Sequence, residues 1–374
     1  MRHKLFCCLL VLSLALPGWA QPWGRSNREK ERPFPPPWTR RPLIQVVLIL
    51  DTSPMMSGVI EQARADLYSV VNELLFHTKD GRTPVVQMAV LTAADGSVRV
   101  LSPFTTYFDG LFSQLEQVRT GHGSTRTDKV LITALQRLEW SPFFEDTKAI
   151  VYVGQGPVQR TKEGFLQRGI LAAEKGILIH TFYAGAYKIG IQNGWAELAY
   201  ASGGQYATID RGYRPDRTHT SVDNDLLSLK DDLIDTYRLE ADSHRRLWRQ
   251  EQDRDREASL VSKETALERI VTKSLQGHYL NLTQSLQSES TGVFGLQRDI
   301  PIRSLPELET ERELTDFQEQ QQQRQALFAE VVRLAKVRRV LLHQQRASKH
   351  VSLGSAVIEV LQSQLRDKGF VIDH

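Results

Sequence analysis

The residues best suited to chemistry follow the first strongly apolar run of the chain. The run IQVVLIL leads directly into Asp51, and Ser53 lies two residues later. A carboxylate and a hydroxyl in one tight turn are hard oxygen ligands of the kind that Mg²⁺ prefers. The turn continues with Pro54 and Met55, and a thioether is a ligand that Mg²⁺ does not choose over water. The turn therefore combines two suitable oxygen ligands with one unsuitable side chain.

Signatures of enzyme chemistry are missing from the sequence. Asp51 has no second carboxylate beside it to hold the Mg²⁺ that a phosphoryl-accepting aspartate needs. The chain contains no G-x-S-x-G, G-x-x-x-x-G-K-[ST] or H-E-x-x-H motif. His122, in the loop GHGSTRT, is expected to be a solvated side chain, and His180, in ILIHTFY, is expected to be a hydrogen-bonded core residue. We predict that the protein is not an enzyme.

The elements that position the turn are predicted from hydrophobic patterning. From Leu43 to about Leu239, short continuous apolar runs alternate with helix-like stretches, which is typical of buried parallel strands connected by helices. The predicted strands are IQVVLIL, VVQMAVL, VRVL, AIVYV, ILIHTFY and QYATI, and the predicted helices between them cover 61–77, 107–118, 129–138, 162–175 and 195–201. Asp95-Gly96 predicts a tight hairpin. The fold class is α/β, a doubly wound, mostly parallel sheet with one antiparallel edge strand, VRVL, followed by an α-helical C-terminal region.

The C-terminal region is predicted to consist of two helical stretches. Residues 242–276 and 307–348 are charged or Gln-rich with apolar residues at helical intervals, and STGVFGLQRDIPIRSLP separates them. A coiled-coil-like spacing extends over about two heptads and consists of Leu327, Val331, Leu334 and Leu341. This stripe predicts either a helical hairpin packed on the first domain or the seam of a homo-oligomer.

A basic stretch lies within the same region. Residues 324–349 contain seven Lys and Arg residues against the single acidic Glu330. Arg338 projects into the apolar stripe, and the other charges are spread around the helix, so we expect a solvated helix. The alternative is a peripheral contact with anionic lipid or an acidic partner through this stretch.

The N-terminus predicts export. Residues 1–20 combine Arg2 and Lys4, an apolar run shorter than a membrane span and small residues before a cleavage point, as in a secretory signal peptide. Residues 21–42 form a Pro- and Arg-rich linker. Both cysteines, Cys7 and Cys8, lie in the signal, so we expect a cysteine-free mature protein that is periplasmic or secreted. The net charge of +3 becomes +1 without Arg2 and Lys4, and we predict no nucleic-acid partner.

Four segments in order resemble a von Willebrand factor type A (VWA) domain. They are IQVVLIL-DTSPMMSG, GHGSTRTDKV, AIVYV followed by Gly154-Gln155-Gly156, and AELAYASGGQY. The resemblance extends to DLLSLKDDLIDTYRLE, which is similar to the last helix and closing strand of many bacterial members. It implies a metal-ion-dependent adhesion site at the carboxyl ends of the strands. In that site an Asp-x-Ser-x-Ser turn, a Thr of the second loop and an Asp after the fourth strand hold Mg²⁺, and an acidic group of the partner completes the coordination.

This sequence departs from that ligand set. Asp51 and Ser53 match, but Met55 replaces the second serine and Gln155 replaces the later aspartate. The second-loop hydroxyl is left open among Ser124, Thr125 and Thr127. We therefore expect a degenerate site without a cofactor, in which Asp51 caps the first helix or satisfies loop amides. Mg²⁺ held by Asp51, Ser53 and Thr127 is the alternative.

The sequence divides into a signal peptide (1–20), a linker (21–42), a VWA domain (43–240) and a helical, partly coiled-coil-like tail (241–374). We predict an exported, non-enzymatic module that binds a protein partner. The predicted partner-binding rim consists of Asp51, Ser53, His122, Thr125, Thr127 and Gln155. A metal-dependent adhesion module and a structural envelope component that assembles through its tail are the two alternatives.

Overall fold

The structure, a computed structural model, describes residues 40–94, 97–121, 127–158, 164–212, 219–236, 242–279, 311–345 and 352–373. The chain divides into Met1–Arg40 and Arg41–His374, and the elements belong to the second unit. The predicted signal peptide, almost all of the linker and the Asp95-Gly96 turn lie outside the described residues.

A six-stranded sheet with the order β4-β3-β1-β5-β6-β7 forms the centre of the unit. Its strands are β1 (Leu43–Asp51), β3 (Val85–Ala94), β4 (Ser97–Thr105), β5 (Thr147–Gly154), β6 (Ile177–Ala184) and β7 (Tyr206–Ile209). All neighbours are parallel except β4, which pairs antiparallel with β3 at one edge. A second sheet consists of β2 (His77–Thr78) and β8 (Val371–Ile372). The six predicted strands and the antiparallel edge strand are confirmed.

Eleven α-helices occur in the described residues. They are α1 (Ser57–Leu75), α2 (Phe108–Glu116), α3 (Thr127–Arg137), α4 (Gly164–Glu174), α5 (Tyr187–Gln192), α6 (Trp195–Ala201), α7 (Asp223–Asp235), α8 (Asp242–Val261), α9 (Lys263–Tyr279), α10 (Glu311–Gln345) and α11 (Leu353–Asp367). The five predicted connecting helices are present. The sequence reading missed α5 because six residues interrupted by Gly190 show no helical period. No helix in the described ranges is long and apolar enough to cross a membrane.

The sheet separates two hydrophobic cores. Alternate residues of β1 enter each core: Val46 and Leu48 belong to the first, and Val47 and Ile49 to the second. The first core lies under α1 and α2, and the second under α3, α4 and α6. Because β1 is buried on both faces, its sequence is predominantly apolar between Gln45 and Asp51 rather than alternating.

The C-terminal helices complete the first core. Helices α9 and α11 pack against α1, and α10 packs against α9 and α7. Val331 and Leu334 of the predicted coiled-coil stripe are buried in this core. Of the two alternatives for the stripe, the structure therefore places these residues against the first domain.

The prediction of a solvated helix across the basic stretch is wrong at three arginines. Arg324 is buried and donates to the carbonyl oxygen of Thr236 at 2.6 Å. Arg338 is 2% exposed and contacts the carboxylates of Asp223, Glu264 and Glu268. Arg339 pairs with Glu73 of α1 at 2.6 Å. The sequence pattern of this helix is misleading because the carboxylates that neutralise Arg338 and Arg339 lie on other helices, namely α1, α7 and α9. These three charges face the protein interior rather than a membrane surface.

Candidate functional site

The candidate site lies at the carboxyl ends of β1 and β5. These neighbouring strands mark the point where the connections turn to opposite sides of the sheet, which is where open α/β sheets bind ligands. Asp51 is the last residue of β1, and Gln155 directly follows Gly154 at the end of β5. A Cβ on Gly154 would lie 3.0 Å from the Cβ of Asp51 and 2.7 Å from the Trp195 ring. Glycine at this position therefore allows the two strand ends to approach closely.

The carboxylate of Asp51 is buried and satisfied by its neighbours. Its Oδ1 accepts the backbone N–H of Ser53 at 2.8 Å, and its Oδ2 accepts the Ser53 hydroxyl at 3.2 Å and the backbone N–H of Gln155 at 3.3 Å. One of the two expectations for Asp51 is that it satisfies loop amides, and these hydrogen bonds agree with it. The other expectation, that it caps the first helix, is wrong, because the N-cap position of α1 is Met56.

The side chain of Gln155 extends this network outwards. Its Nε2 donates to the Ser53 hydroxyl oxygen at 3.1 Å, and its Oε1 accepts from Nη1 of Arg211 at 3.2 Å. The same Nη1 lies 3.7 Å from the sulfur of Met55. A continuous hydrogen-bonded chain therefore runs from Arg211 through Gln155 and Ser53 to Asp51, and we call these four residues with Met55 the rim network.

Arg211 is the member of the rim network that sequence reasoning missed. It lies just after β7, so its loop emerges at the same edge of the sheet as Asp51 and Gln155. Gln62 of α1 donates to the carbonyl oxygen of Asp210 at 2.7 Å and fixes the loop. A Cβ on Gly58 would lie 2.2 Å from the carbonyl oxygen of Arg211, so this close contact requires glycine. The sequence signal for Arg211 is its position just after a predicted parallel strand.

The side chains of the rim network offer a divalent metal ion fewer hard oxygen ligands than the family turn does. Met55 is 59% exposed and offers only a thioether where the family has a hydroxyl. Gln155 gives an amide where the family has a carboxylate, and its Oε1 already accepts from the cationic Arg211. No group of three or more His, Cys, Asp or Glu side chains in the described part of the chain is arranged to hold a metal. Within the rim network, the positive charge is carried by the guanidinium of Arg211.

Three predicted rim residues receive little structural description. His122 and Thr125 lie outside the described residues, and Thr127 begins α3 without a described side chain. The second loop nevertheless reaches the rim, because the backbone N–H of Gly121 donates to the carbonyl oxygen of Thr52 at 2.7 Å. Asp51, Ser53 and Gln155 are therefore the predicted rim residues that the structure brings into direct contact.

His180 lies away from the rim, in the interior expected for it. It is 1% exposed; its Nε2 lies 3.2 Å from Oε1 of Gln364, and its Nδ1 accepts from the backbone N–H of Gln205 at 3.2 Å. Burial lowers the pKa of His180 to about 4, against the opposing effect of the Gln364 hydrogen bond. Because Gln364 belongs to α11, this histidine joins β6 to the C-terminal helices.

An open, mostly parallel sheet with a polar rim at its switch point is the arrangement with which α/β domains bind ligands. Residues 46–156 match the family model of the von Willebrand factor type A domain, and the chain contains a domain of this family. VWA domains in general act as protein-interaction or adhesion modules. No curated protein matches the chain.

Solved structures match a little under half of this chain at low sequence identity. BatB from Bacteroides thetaiotaomicron is 16% identical with a TM-score of 0.36, and the match covers 45% of this chain and 90% of that one. The SpRpn10 VWA domain is 14% identical with a TM-score of 0.37, covering 47% and 91%. Proximal thread matrix protein 1 from the mussel byssus, with a zinc-occupied MIDAS motif, is 16% identical with a TM-score of 0.35, covering 46% and 42%.

Proposed function

We propose that this protein is an exported, non-enzymatic protein-interaction module whose VWA rim works without a metal ion. The observation that carries the proposal is the rim network, in which Arg211, Gln155, Ser53 and Asp51 form one hydrogen-bonded chain. The signal-like N-terminus supports export, and the missing catalytic motifs support a binding function.

The physical argument concerns what a divalent ion would have to displace. Mg²⁺ requires six oxygen ligands in near-octahedral geometry and gives up water reluctantly. The Ser53 hydroxyl oxygen already accepts from Gln155 and donates to Asp51. A metal at this place would compete with Gln155 for the Ser53 hydroxyl oxygen and would lie close to the Arg211 guanidinium, a like charge. We therefore expect Mg²⁺ to stay hydrated in solution rather than bind at the rim network.

Isothermal titration of Mg²⁺ and Mn²⁺ into the chain from residue 21 onward tests the metal-free rim. We expect no heat of binding from the wild type or from Asp51→Ala at metal concentrations up to the low millimolar range. Heat that occurs in the wild type and vanishes in Asp51→Ala contradicts the proposal and supports the metal-dependent adhesion module. Circular dichroism of both proteins verifies that the variant is folded.

The chain offers a matched positive control. The triple variant Met55→Ser, Gln155→Asp, Arg211→Ala restores the oxygen ligands of the family turn and removes the guanidinium. We expect this variant to bind Mg²⁺, because a second hydroxyl and a second carboxylate are hard ligands that the wild type lacks. Metal binding by the triple variant alone shows that these three side chains, rather than the backbone of the turn, keep the ion out.

A further inference from the structure

We propose that the guanidinium of Arg211 is the group with which the rim binds its protein partner, and that it binds a side-chain carboxylate of that partner. This inference rests on the proposed function, since it assigns to an arginine the positive charge that the metal-free rim presents. The partner is thus a protein with an exposed Asp or Glu on the contacting surface.

The first support is the fixed position of Arg211. Gln62 holds the preceding carbonyl oxygen at 2.7 Å, Gly58 accommodates the carbonyl oxygen of Arg211 itself, and Gln155 holds the side chain through Nη1 at 3.2 Å. An arginine loses considerable rotamer entropy when a partner immobilises it. Since the fold already restrains both the backbone and one nitrogen of Arg211, less of that cost falls on binding.

The second support is the geometry of the remaining donors. The two contacts of Arg211, to Gln155 and to the Met55 sulfur, both use Nη1 and are both neutral. Among the described residues, Nε and Nη2 therefore form the edge of the guanidinium that has no protein acceptor. This edge is a planar two-donor fork, which matches the two oxygens of a carboxylate. Arg211 is only half-buried, so part of its surface is accessible to a partner.

The third support is the character of the surrounding surface. Met55 lies beside the guanidinium and is 59% exposed, so a partner carboxylate would be accompanied by a flexible apolar contact. The chain without its predicted signal carries a net charge of only +1, which gives no general attraction for polyanions. One oriented arginine next to a thioether suits a single acidic side chain of a protein better than a phosphate backbone.

NMR of the arginine Nε–Hε resonances in the chain from residue 21 onward tests this inference. The probes are the blocked peptide Gly-Asp-Gly and its counterpart Gly-Asn-Gly, both in the presence of EDTA. The Arg211 resonance is identified by its loss in Arg211→Gln. A single surface ion pair is weak, so we expect the aspartate peptide to shift this resonance with a Kd on the order of 10 mM. The asparagine peptide should bind at least about tenfold more weakly.

The matched control is Arg256→Gln. Arg256 is an exposed arginine of α8 that already pairs with Asp253 at 3.8 Å, so its removal should leave the response of Arg211 unchanged.

Equal shifts with both peptides, no shift of the Arg211 resonance, or rim amide shifts that persist in Arg211→Gln each overturn the inference. A response that disappears in EDTA and returns with Mg²⁺ overturns the metal-free function as well. A silent peptide titration together with silent metal calorimetry overturns the carboxylate inference alone.

Discussion

Arginines are used in opposite ways in two regions of this molecule. At the rim, Arg211 is half-buried and contacts an amide oxygen and a thioether. At the junction between the VWA domain and the C-terminal helices, Arg269 and Arg338 are 1% and 2% exposed and are surrounded by carboxylates. At the junction, carboxylates neutralise the buried arginines. At the rim, Arg211 is partly exposed to solvent.

The difference follows from the cost of burying charge. A buried guanidinium needs compensating carboxylates and hydrogen bonds, because an unpaired charge in the interior is strongly unfavourable. Arg269 obtains them from Asp109 of α2 and from Glu251 and Asp255 of α8. Burial alone would raise the pKa of Asp109, but the charge of Arg269 holds it below its ordinary value. The junction is therefore a closed, mutually dependent set of charges.

The largest effect is expected from breaking this set with Arg269→Met. The substitution leaves Asp109 and Asp255 buried without their guanidinium, and removal of one partner of a buried ion pair costs about 3–5 kcal/mol. Urea unfolding followed by circular dichroism measures the free energy of unfolding.

Arg256→Met is the matched control on the neighbouring helix. Arg256 is 74% exposed at its side chain, so its loss should change the free energy of unfolding by less than about 0.5 kcal/mol. Similar losses in the two variants would show that the buried carboxylates do not depend on Arg269.

A smaller effect is expected from the buried His180. The pKa of His180 is about 4 in the folded protein and 6.5 ordinarily. Between these values the unfolded chain binds a proton that the folded protein does not bind, so stability falls as the pH drops from 6.5 to 4. From pH 7.5 to pH 5 this histidine should reduce the free energy of unfolding by about 2 kcal/mol.

Urea unfolding of the wild type and His180→Gln at both pH values measures this contribution. The comparison with the variant is necessary because burial raises the pKa of Glu264 to about 7, and a raised carboxyl pKa makes the protein more stable at lower pH. The difference between the two proteins cancels that opposing effect. An identical pH dependence in both would mean that His180 accepts its proton in the folded state.

The sequence predicts the strands and two residues of the rim, but it does not predict the contacts of the arginines in either region. The strands are predictable because most of them are short, predominantly apolar runs, and Asp51 and Gln155 are predictable because they lie at the ends of two of these runs. Arg211 also follows a predicted strand, but that strand has only four residues, and no local pattern pairs Arg211 with Gln155, 56 positions away. Arg338 interrupts an apolar stripe visibly, but its carboxylates at 223, 264 and 268 become neighbours only through packing.

The smallest effect is expected from Arg211→Gln, and it sharpens the comparison most directly. Arg211 is half-buried, pairs with no carboxylate within the described residues, and contributes one 3.2 Å hydrogen bond to Gln155. Because the loss of Arg211 leaves no buried charge without its partner, the free energy of unfolding should change by less than about 0.5 kcal/mol. Urea unfolding beside Arg269→Met measures both on one scale. A loss of more than about 1 kcal/mol would place Arg211 among the arginines that the fold requires, while a stability within that limit leaves its charge available for recognition.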